Sequence, residues 1–401
     1  MFAETSNKQN NQNNKMGKKV GILSMQRVIN YGSFLQAYAL KQLLLQNGAD
    51  EVYFIDIEKG RELPGFEYSK NQSKWHKLKR LLQIIFTGLL FQKIRDRKFT
   101  KRLKKSIEDC FPILELDKPA PKEFDLVVIG SDEVFNCCQP APWGYTLQLY
   151  GRVLNAKKVI SYAGSFGHTR YEQLVQLGID KEIGETMKTM AAISVRDQNS
   201  YDIVEKLTGI KAEMHLDPVL IYGYEKEIAE RKVSYPGKYM VIYSYQGRIN
   251  DKMEIKEITS FAKEHKLKLI SIFCRYDWCD EAIIPETPFD VLGWFKGAEY
   301  VVTDTFHGTI FSIITGRMFV TLVRKTGRVT NGEKISSLLR QLELGQRCVE
   351  IDKNALNSKL AGDVDRQRVD KELAECRKLC QMYLSDAITP RTILWEYAVK
   401  K

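Results

Sequence analysis

Five polar clusters punctuate otherwise apolar stretches of the chain. They are Asn30-Tyr31-Gly32-Ser33, Gly130-Ser131-Asp132, the segment YAGSFG over residues 162–167, Ser194-Val195-Arg196-Asp197, and Thr303-Asp304-Thr305-Phe306-His307-Gly308. Glycines and short side chains at such points leave backbone N–H groups at helix starts open to a ligand, and this favours anions. His307 stands out among five histidines. It is placed in the first turn of a helix that follows a buried strand. A helix N-terminus disfavours the imidazolium, whereas a bound phosphate or the nearby Asp304 favours it, so His307 is suited to general acid chemistry near neutral pH. The alternative is a capping or packing residue at a strand–helix corner. His76, His168, His215 and His265 lack such company and are expected to be structural or on the surface.

Arg196 ends an apolar strand, where a buried cation needs a partner; Asp197 or a bound anion would serve. Asp132 is either a base or the cap of a following helix. Asn30 either binds a ligand or shapes its loop. The candidate site therefore comprises His307 and Asp132 as catalytic residues, with Arg196, Asn30, Ser33, Ser131, Thr305 and Gly308 binding substrate. Neither G-x-x-x-x-G-K-[ST] nor G-x-G-x-x-G occurs, so P-loop and classical dinucleotide readings lack their fingerprint. The eight cysteines make no two-pair zinc pattern, and no metal site and no cofactor are expected. Scattered cysteines without a secretory signal point to a reducing cytoplasm.

The elements that would position these clusters alternate. KKVGILS at 18–24 reads as a strand, and Ser33 with Gln36 as the capping box of the next helix, followed by a strand over 51–57. DLVVIG at 125–130 is a continuous apolar run, as expected for a strand buried on both faces. Further strands are expected at 159–163 and 192–195. After Tyr235-Pro236-Gly237 a second alternation begins: strand 239–243, helix 252–264, strand 268–273, helix 288–296, strand 300–303, helix 308–315 and strand 318–323. The fold class is α/β, with two doubly wound Rossmann-like domains. Ligands of such sheets bind beyond the carboxyl ends of the strands.

Length and charge set the organisation. A chain of 401 residues exceeds what one core serves. We expect a disordered tail at 1–15, an N-terminal domain at 16–225, a C-terminal domain at 226–370 and terminal helices at 371–401. With 44% apolar and 28% charged residues, the composition excludes a wholly disordered or fibrous chain. Between Lys70 and Lys105 there are 13 Lys/Arg against the single acid Asp96, a net +12 that leaves −1 for the rest of the chain. This basic insert, at about 68–108, carries the apolar run Leu81–Phe91, too short to span a bilayer. It suits either a helical hairpin packed on the core with a solvated basic face, or an interfacial helix held to a membrane surface through residues 70–105. Nucleic acid is not an expected partner, because no aromatics are interleaved as stacking platforms. The expected location is cytoplasmic, peripheral at the inner membrane face if the insert docks.

The segments INYGSFLQAYALKQLL, DLVVIGSDEVFN, SYAGSFG, ISVRD, HLDPVL and GAEYVVTDTFHGTIFSIITGRMFVTL follow one another as in the polysaccharide pyruvyl transferase family, which the chain resembles over residues 18–323. The resemblance implies a glycosyltransferase-B-like pair of domains with the site in the cleft between them. It implies transfer of a pyruvyl group from phosphoenolpyruvate to hydroxyls of a glycan or lipid-linked sugar, as in a surface or exopolysaccharide precursor. His307 matches the family's catalytic histidine, and Arg196 lies in a segment expected to meet the donor. Where better-described members have Arg-x-His-Gly, this chain has Thr305-Phe306-His307-Gly308. Arg317, Arg324 and Arg328 are the candidates to replace that arginine. Two other readings stay open: a nucleotide-sugar-dependent glycosyltransferase of the same architecture, and a catalytically lapsed scaffold in a glycan-assembly complex.

Overall fold

A computed structural model describes residues 17–68, 90–323, 332–350, 355–362 and 364–389. Two all-parallel, six-stranded sheets form its frame. The first contains β1 (Lys19–Leu23), β2 (Glu51–Ile55), β3 (Leu126–Asp132), β4 (Val159–Gly164), β5 (Ser194–Val195) and β6 (Glu213–Met214), in the order β2-β1-β3-β4-β5-β6. The second contains β7 (Tyr239–Tyr243), β8 (Lys268–Ile272), β9 (Glu281–Ile283), β10 (Tyr300–Thr303), β11 (Met318–Leu322) and β12 (Cys348–Val349), in the order β12-β11-β10-β7-β8-β9. The central strands read as unbroken apolar runs because helices cover both faces. β3 accordingly buries six of its seven residues and pairs with β1 in the register Val20↔Leu126 through Leu23↔Ile129. The expected pair of doubly wound Rossmann-like domains is what the chain forms.

The helices that matter to the cleft are α1 (Tyr31–Gln46), α2 (Leu90–Glu108), α3 (Gln198–Thr208), α4 (Pro218–Tyr222), α5 (Lys252–Glu264), α6 (Pro288–Gly297), α7 (Phe306–Thr315), α8 (Gly332–Gln341) and α9 (Arg366–Ile388). Helix α1 starts earlier than its Ser33-Gln36 pattern predicts. Asn30 is the N-cap, its side chain accepting from the Gly32 amide at 2.7 Å. Asn30 outcompetes Ser33 because its backbone is extended (φ −157°) and its carbonyl already accepts the first intrahelical bond, from Phe34. Ser33 is thereby released to face the cleft.

The two domains share a core. Tyr31, Phe34 and Leu35 of α1 lie in one continuous buried cluster with Val219, Phe289, Val291 and Phe311. Phe34 and Tyr38 meet Phe289 edge-on, with ring centroids 6.0 and 4.9 Å apart. Edge-to-face aromatic pairs of this kind fix a relative orientation as well as burying area. Helix α9 begins at Arg366, ahead of the boundary expected at 371, and returns to the first domain. There Tyr383 donates to the Ser161 carbonyl at 2.7 Å and Lys158 to the Ala387 carbonyl at 3.0 Å. Most of the apolar run at 81–91, the tail at 1–15, Arg324 and Arg328 fall outside the described residues.

Candidate functional site

Each sheet reverses its winding once, between β1 and β3 in the first and between β7 and β10 in the second. Loops diverge at such a switch point and leave a crevice beyond the strand ends. Here the two crevices face each other and merge into one cleft of about 1040 Å³. Its walls include Asn30, Ser33, Asp132 and Arg196 from the first domain, with Tyr245, Arg248, Thr305, His307 and Lys334 from the second. A polar side pocket of about 780 Å³ opens from it, sharing Glu133, His168 and Lys334.

Two helix N-termini meet at the floor. Thr305 caps α7, accepting from the Gly308 amide at 2.9 Å, and Asn30 caps α1 opposite. The His307 ring lies directly against Gly32 in the first turn of α1. A Cβ on that glycine would come within 2.2 Å of the imidazole Cγ and Nδ1. Asn30 also spans the domains, donating through Nδ2 to the Tyr245 hydroxyl at 2.8 Å.

Behind His307 runs a buried ionic network. Arg196, whose side chain is 2% exposed, donates to Asp217 Oδ2 at 2.8 Å and to Asp132 Oδ1 at 3.1 Å. Asp217 Oδ2 also accepts from Ser131 Oγ at 3.2 Å, while its Oδ1 caps α4 by accepting from the Val219 amide. Asp132 Oδ2 accepts from Ser33 Oγ at 2.9 Å. The Phe306 ring stacks on the guanidinium with Arg196 Cζ 4.4 Å from its centroid, and Lys334 Nζ lies 5.8 Å from the same ring. Lys334 is ion-paired with Glu133. Among the described residues, His307 Nε2, Arg196 Nε and the Tyr243 hydroxyl are buried polar atoms of the wall with no hydrogen-bond partner. His307 Nε2 is 3.8 Å from Asp217 Oδ2, beyond hydrogen-bond reach.

The titration states follow from these contacts. Burial alone would raise Asp132, but Arg196, then His307 and the Ser33 hydroxyl, outweigh it and hold the carboxyl down to about 2. Glu133 is likewise pushed up by burial and brought down to about 2, chiefly by Lys334. Burial lowers His307 below its ordinary value against the opposing pull of Asp217 and Asp132, so at neutral pH the imidazole is neutral. His215 is a different case: burial lowers it to about 4, and Ser194 Oγ lies 2.8 Å from its Nδ1, a structural role.

The structure brings Asn30, Ser33, Asp132, Arg196, Thr305 and His307 together around the cleft. Ser131 and Gly308 stand one layer behind it. The Ser131 side chain is buried on Asp217, and Gly308 is packed so closely that a Cβ there would lie 2.2 Å from Thr303 Oγ1. Asp197 does not pair with Arg196; it caps α3, accepting from the Ser200 amide at 2.9 Å. No helix follows Asp132 for it to cap, and its left-handed backbone (φ 76°) continues into a bend. Arg317 hydrogen-bonds the Thr315 and Ala298 carbonyls at the amino ends of β10 and β11, the opposite edge of the sheet from the cleft.

Sequence reasoning missed Asp217, Lys334 and Tyr245. An aspartate directly before proline signals a helix cap, so Asp217 reads as structural, and only the fold turns its second oxygen toward Arg196 and His307. Lys334 is one of 61 basic residues and has no local distinction.

No curated protein matches the chain. Among solved structures it is similar to UDP-N-acetylglucosamine 2-epimerase from Rickettsia bellii, at 10% identity and TM-score 0.47 over 95% of this chain and 100% of that one. It is also similar to UDP-GlcNAc 2-epimerase from Methanocaldococcus jannaschii, at 12% identity and TM-score 0.45 over 89% of this chain and 92% of that one. A third likeness is the glycotransferase of kitacinnamycin, at 12% identity and TM-score 0.45 over 93% and 98%. The family described as polysaccharide pyruvyl transferase matches residues 30–326, a span that holds Asn30, Asp132, Arg196, Asp217 and His307. The chain belongs to the polysaccharide pyruvyl transferase family and is a transferase of polysaccharide modification.

Proposed function

We propose that the cleft transfers the pyruvyl group of phosphoenolpyruvate to hydroxyls of a glycan precursor carried on a lipid or nucleotide. The observation that supports this reading most directly is the unpartnered Nε2 of buried His307, set where two helix N-termini converge. An arriving phosphate and carboxylate raise the affinity of His307 for a proton, which a neutral imidazole is ready to take up. The imidazolium then delivers that proton to the methylene carbon of the donor, and positive charge develops at C2. A sugar hydroxyl attacks C2 and loses its proton. The C2–O bond to phosphate breaks with its electron pair on oxygen, and a second hydroxyl closes the ketal. Of the two protons lost by the sugar, one replaces that given to carbon and the other leaves with phosphate.

Arg196 and Lys334 are the cations beside the Phe306 ring, and both already carry acidic partners, while Arg248 lines the same cleft with its guanidinium carbon 4.1 Å from the Tyr245 ring centroid. Lys334, from α8, takes the place in charge that the arginine absent at Thr305 would have had, since the Thr305 hydroxyl is committed to capping α7. Asp132 serves as a positioning residue better than as a base. A carboxyl held near 2, with both oxygens engaged, is a poor proton acceptor at neutral pH.

The test is phosphate release from phosphoenolpyruvate in the presence of a glycan acceptor, for the native chain and His307→Gln. Removing a positioned general acid lowers turnover by about 10²–10⁴-fold, with donor affinity, read by thermal shift, changed much less. Undiminished turnover in the variant would overturn the role of His307. Stabilisation of the native chain by a nucleotide sugar and not by phosphoenolpyruvate would overturn the donor.

A further inference from the structure

Helix α2 is divided lengthwise by its sequence. Phe99, Leu103 and Ile107, spaced four residues apart, are buried and seat the helix on the body of the protein. Its ends are tied to the second domain: Asp96 pairs with Arg275 at 3.3 Å, and Ser106 Oγ donates to the Pro285 carbonyl at 2.9 Å. Arg275 belongs to the loop after β8 that begins with Phe273, a residue of the cleft wall. The helix therefore runs beside the cleft mouth, along the carboxyl edge of the second sheet.

Its outer half is mostly basic. Arg97, Lys98, Lys101, Arg102, Lys104 and Lys105 are all exposed. Among the described residues only Lys104 of these has an acidic partner, Glu108 at 3.5 Å. At its amino end the helix exposes two large apolar side chains one turn apart, Phe91 (77%) and Ile94 (38%). A solvated face needs neither so large an excess of cations over acids nor the exposed phenyl ring. Cations bordering projecting apolar groups on one helix are the pattern of an interfacial helix, in which the apolar groups enter the acyl boundary and the cations meet anionic headgroups. A nucleic acid would use the cations and leave Phe91 and Ile94 in water, which favours the lipid surface.

We propose that the outer face of α2 docks the protein on an anionic lipid bilayer, setting the cleft mouth beside acceptors anchored in that leaflet. The proposal rests on the reading of the cleft only for the acceptor; the docking itself needs no substrate. It is tested by co-sedimentation of the full chain with vesicles of phosphatidylcholine alone and with 30% phosphatidylglycerol. The chain is expected to sediment with the anionic vesicles, and 0.5 M salt to release it. Each lysine near the surface strengthens partition about fivefold. Lys98→Gln/Lys101→Gln/Lys105→Gln should weaken it on the order of 100-fold, while transfer to a water-soluble acceptor is unchanged. Phe91→Ser should weaken it with charge unaltered. Equal sedimentation with both vesicle types, or a triple variant as well bound as the native chain, would overturn docking, as would capture by duplex DNA in preference to anionic vesicles. Loss of transfer in a chain that still binds vesicles would count against the reading of the cleft and leave docking intact.

Discussion

Replacing Arg196 by methionine keeps most of the side-chain volume and removes the one cation that both Asp132 and Asp217 contact. Their side chains are 13% and 0% exposed, so water cannot take over its task. Two figures bound the effect. Asp132 is held down to about 2, well below the ordinary aspartate range, worth roughly 2–3 kcal/mol of linked stability at neutral pH. Breaking a buried ion pair from one side costs about 3–5 kcal/mol, because the remaining charge is left uncompensated. We expect the larger value, and a fall in melting temperature of roughly 10 °C or more for a domain of this size.

The sign of the pH dependence is the sharper test. In the native chain the Asp132 contribution is present above the ordinary aspartate range and is lost as pH falls through about 2. In the variant Asp132, buried beside Asp217 without the Arg196 guanidinium, loses the strongest interaction holding it down, and burial moves its carboxyl upward. The resulting penalty is full at neutral pH and is relieved as pH falls. Urea unfolding followed by tryptophan fluorescence between pH 7.5 and 4.5 should show the gap between native and variant closing on acidification. Adding Asp217→Asn should recover part of the loss at pH 7.5. A gap independent of pH, or one below about 1 kcal/mol, would refute the assignment of Arg196 as the cation that neutralises this pair.

Two further predictions concern the cleft floor. Gly32→Ala is compatible with the helical backbone of α1 but places a methyl 2.2 Å from the His307 ring, so the imidazole must move. Displacements of this order cost about 10² in rate, and a steady-state assay should show that loss, with a lowered melting temperature because the methyl also lies 2.7 Å from His307 Cβ; normal turnover would mean that the position of His307 is not critical. Lys334→Met leaves Glu133 buried without the cation that holds it at about 2. Destabilisation of about 2 kcal/mol at pH 7 that shrinks toward pH 4.5 is expected by urea titration, and pH-independent destabilisation would disprove the pairing.

Much of the frame is legible in the sequence for a simple reason. Strands buried on both faces must be apolar throughout, as in DLVVIG and YVVT, and the polar clusters between them must lie in the turns. The strand–helix alternation therefore locates Asn30, Asp132, Arg196 and His307 at carboxyl ends of strands before any coordinate is known. Charge excess in the insert is likewise a property of composition. Start points of helices are less secure where two capping residues compete, as Asn30 and Ser33 do, because the backbone conformation of the preceding loop chooses between them.

What only the tertiary structure decides is partnership across distance. Arg196 has Asp197 beside it in sequence, yet it pairs with Asp132 and Asp217, 64 and 21 residues away, because Asp197 is consumed in capping α3. Lys334 and Glu133, 201 residues apart, meet only when the domains close on a shared aromatic core. The contact of His307 with Gly32 exists because two switch points face each other. Local propensity and periodicity are set by neighbours within a turn or a pleat, whereas a buried charge is satisfied by whichever opposite charge the packing of whole domains delivers to it.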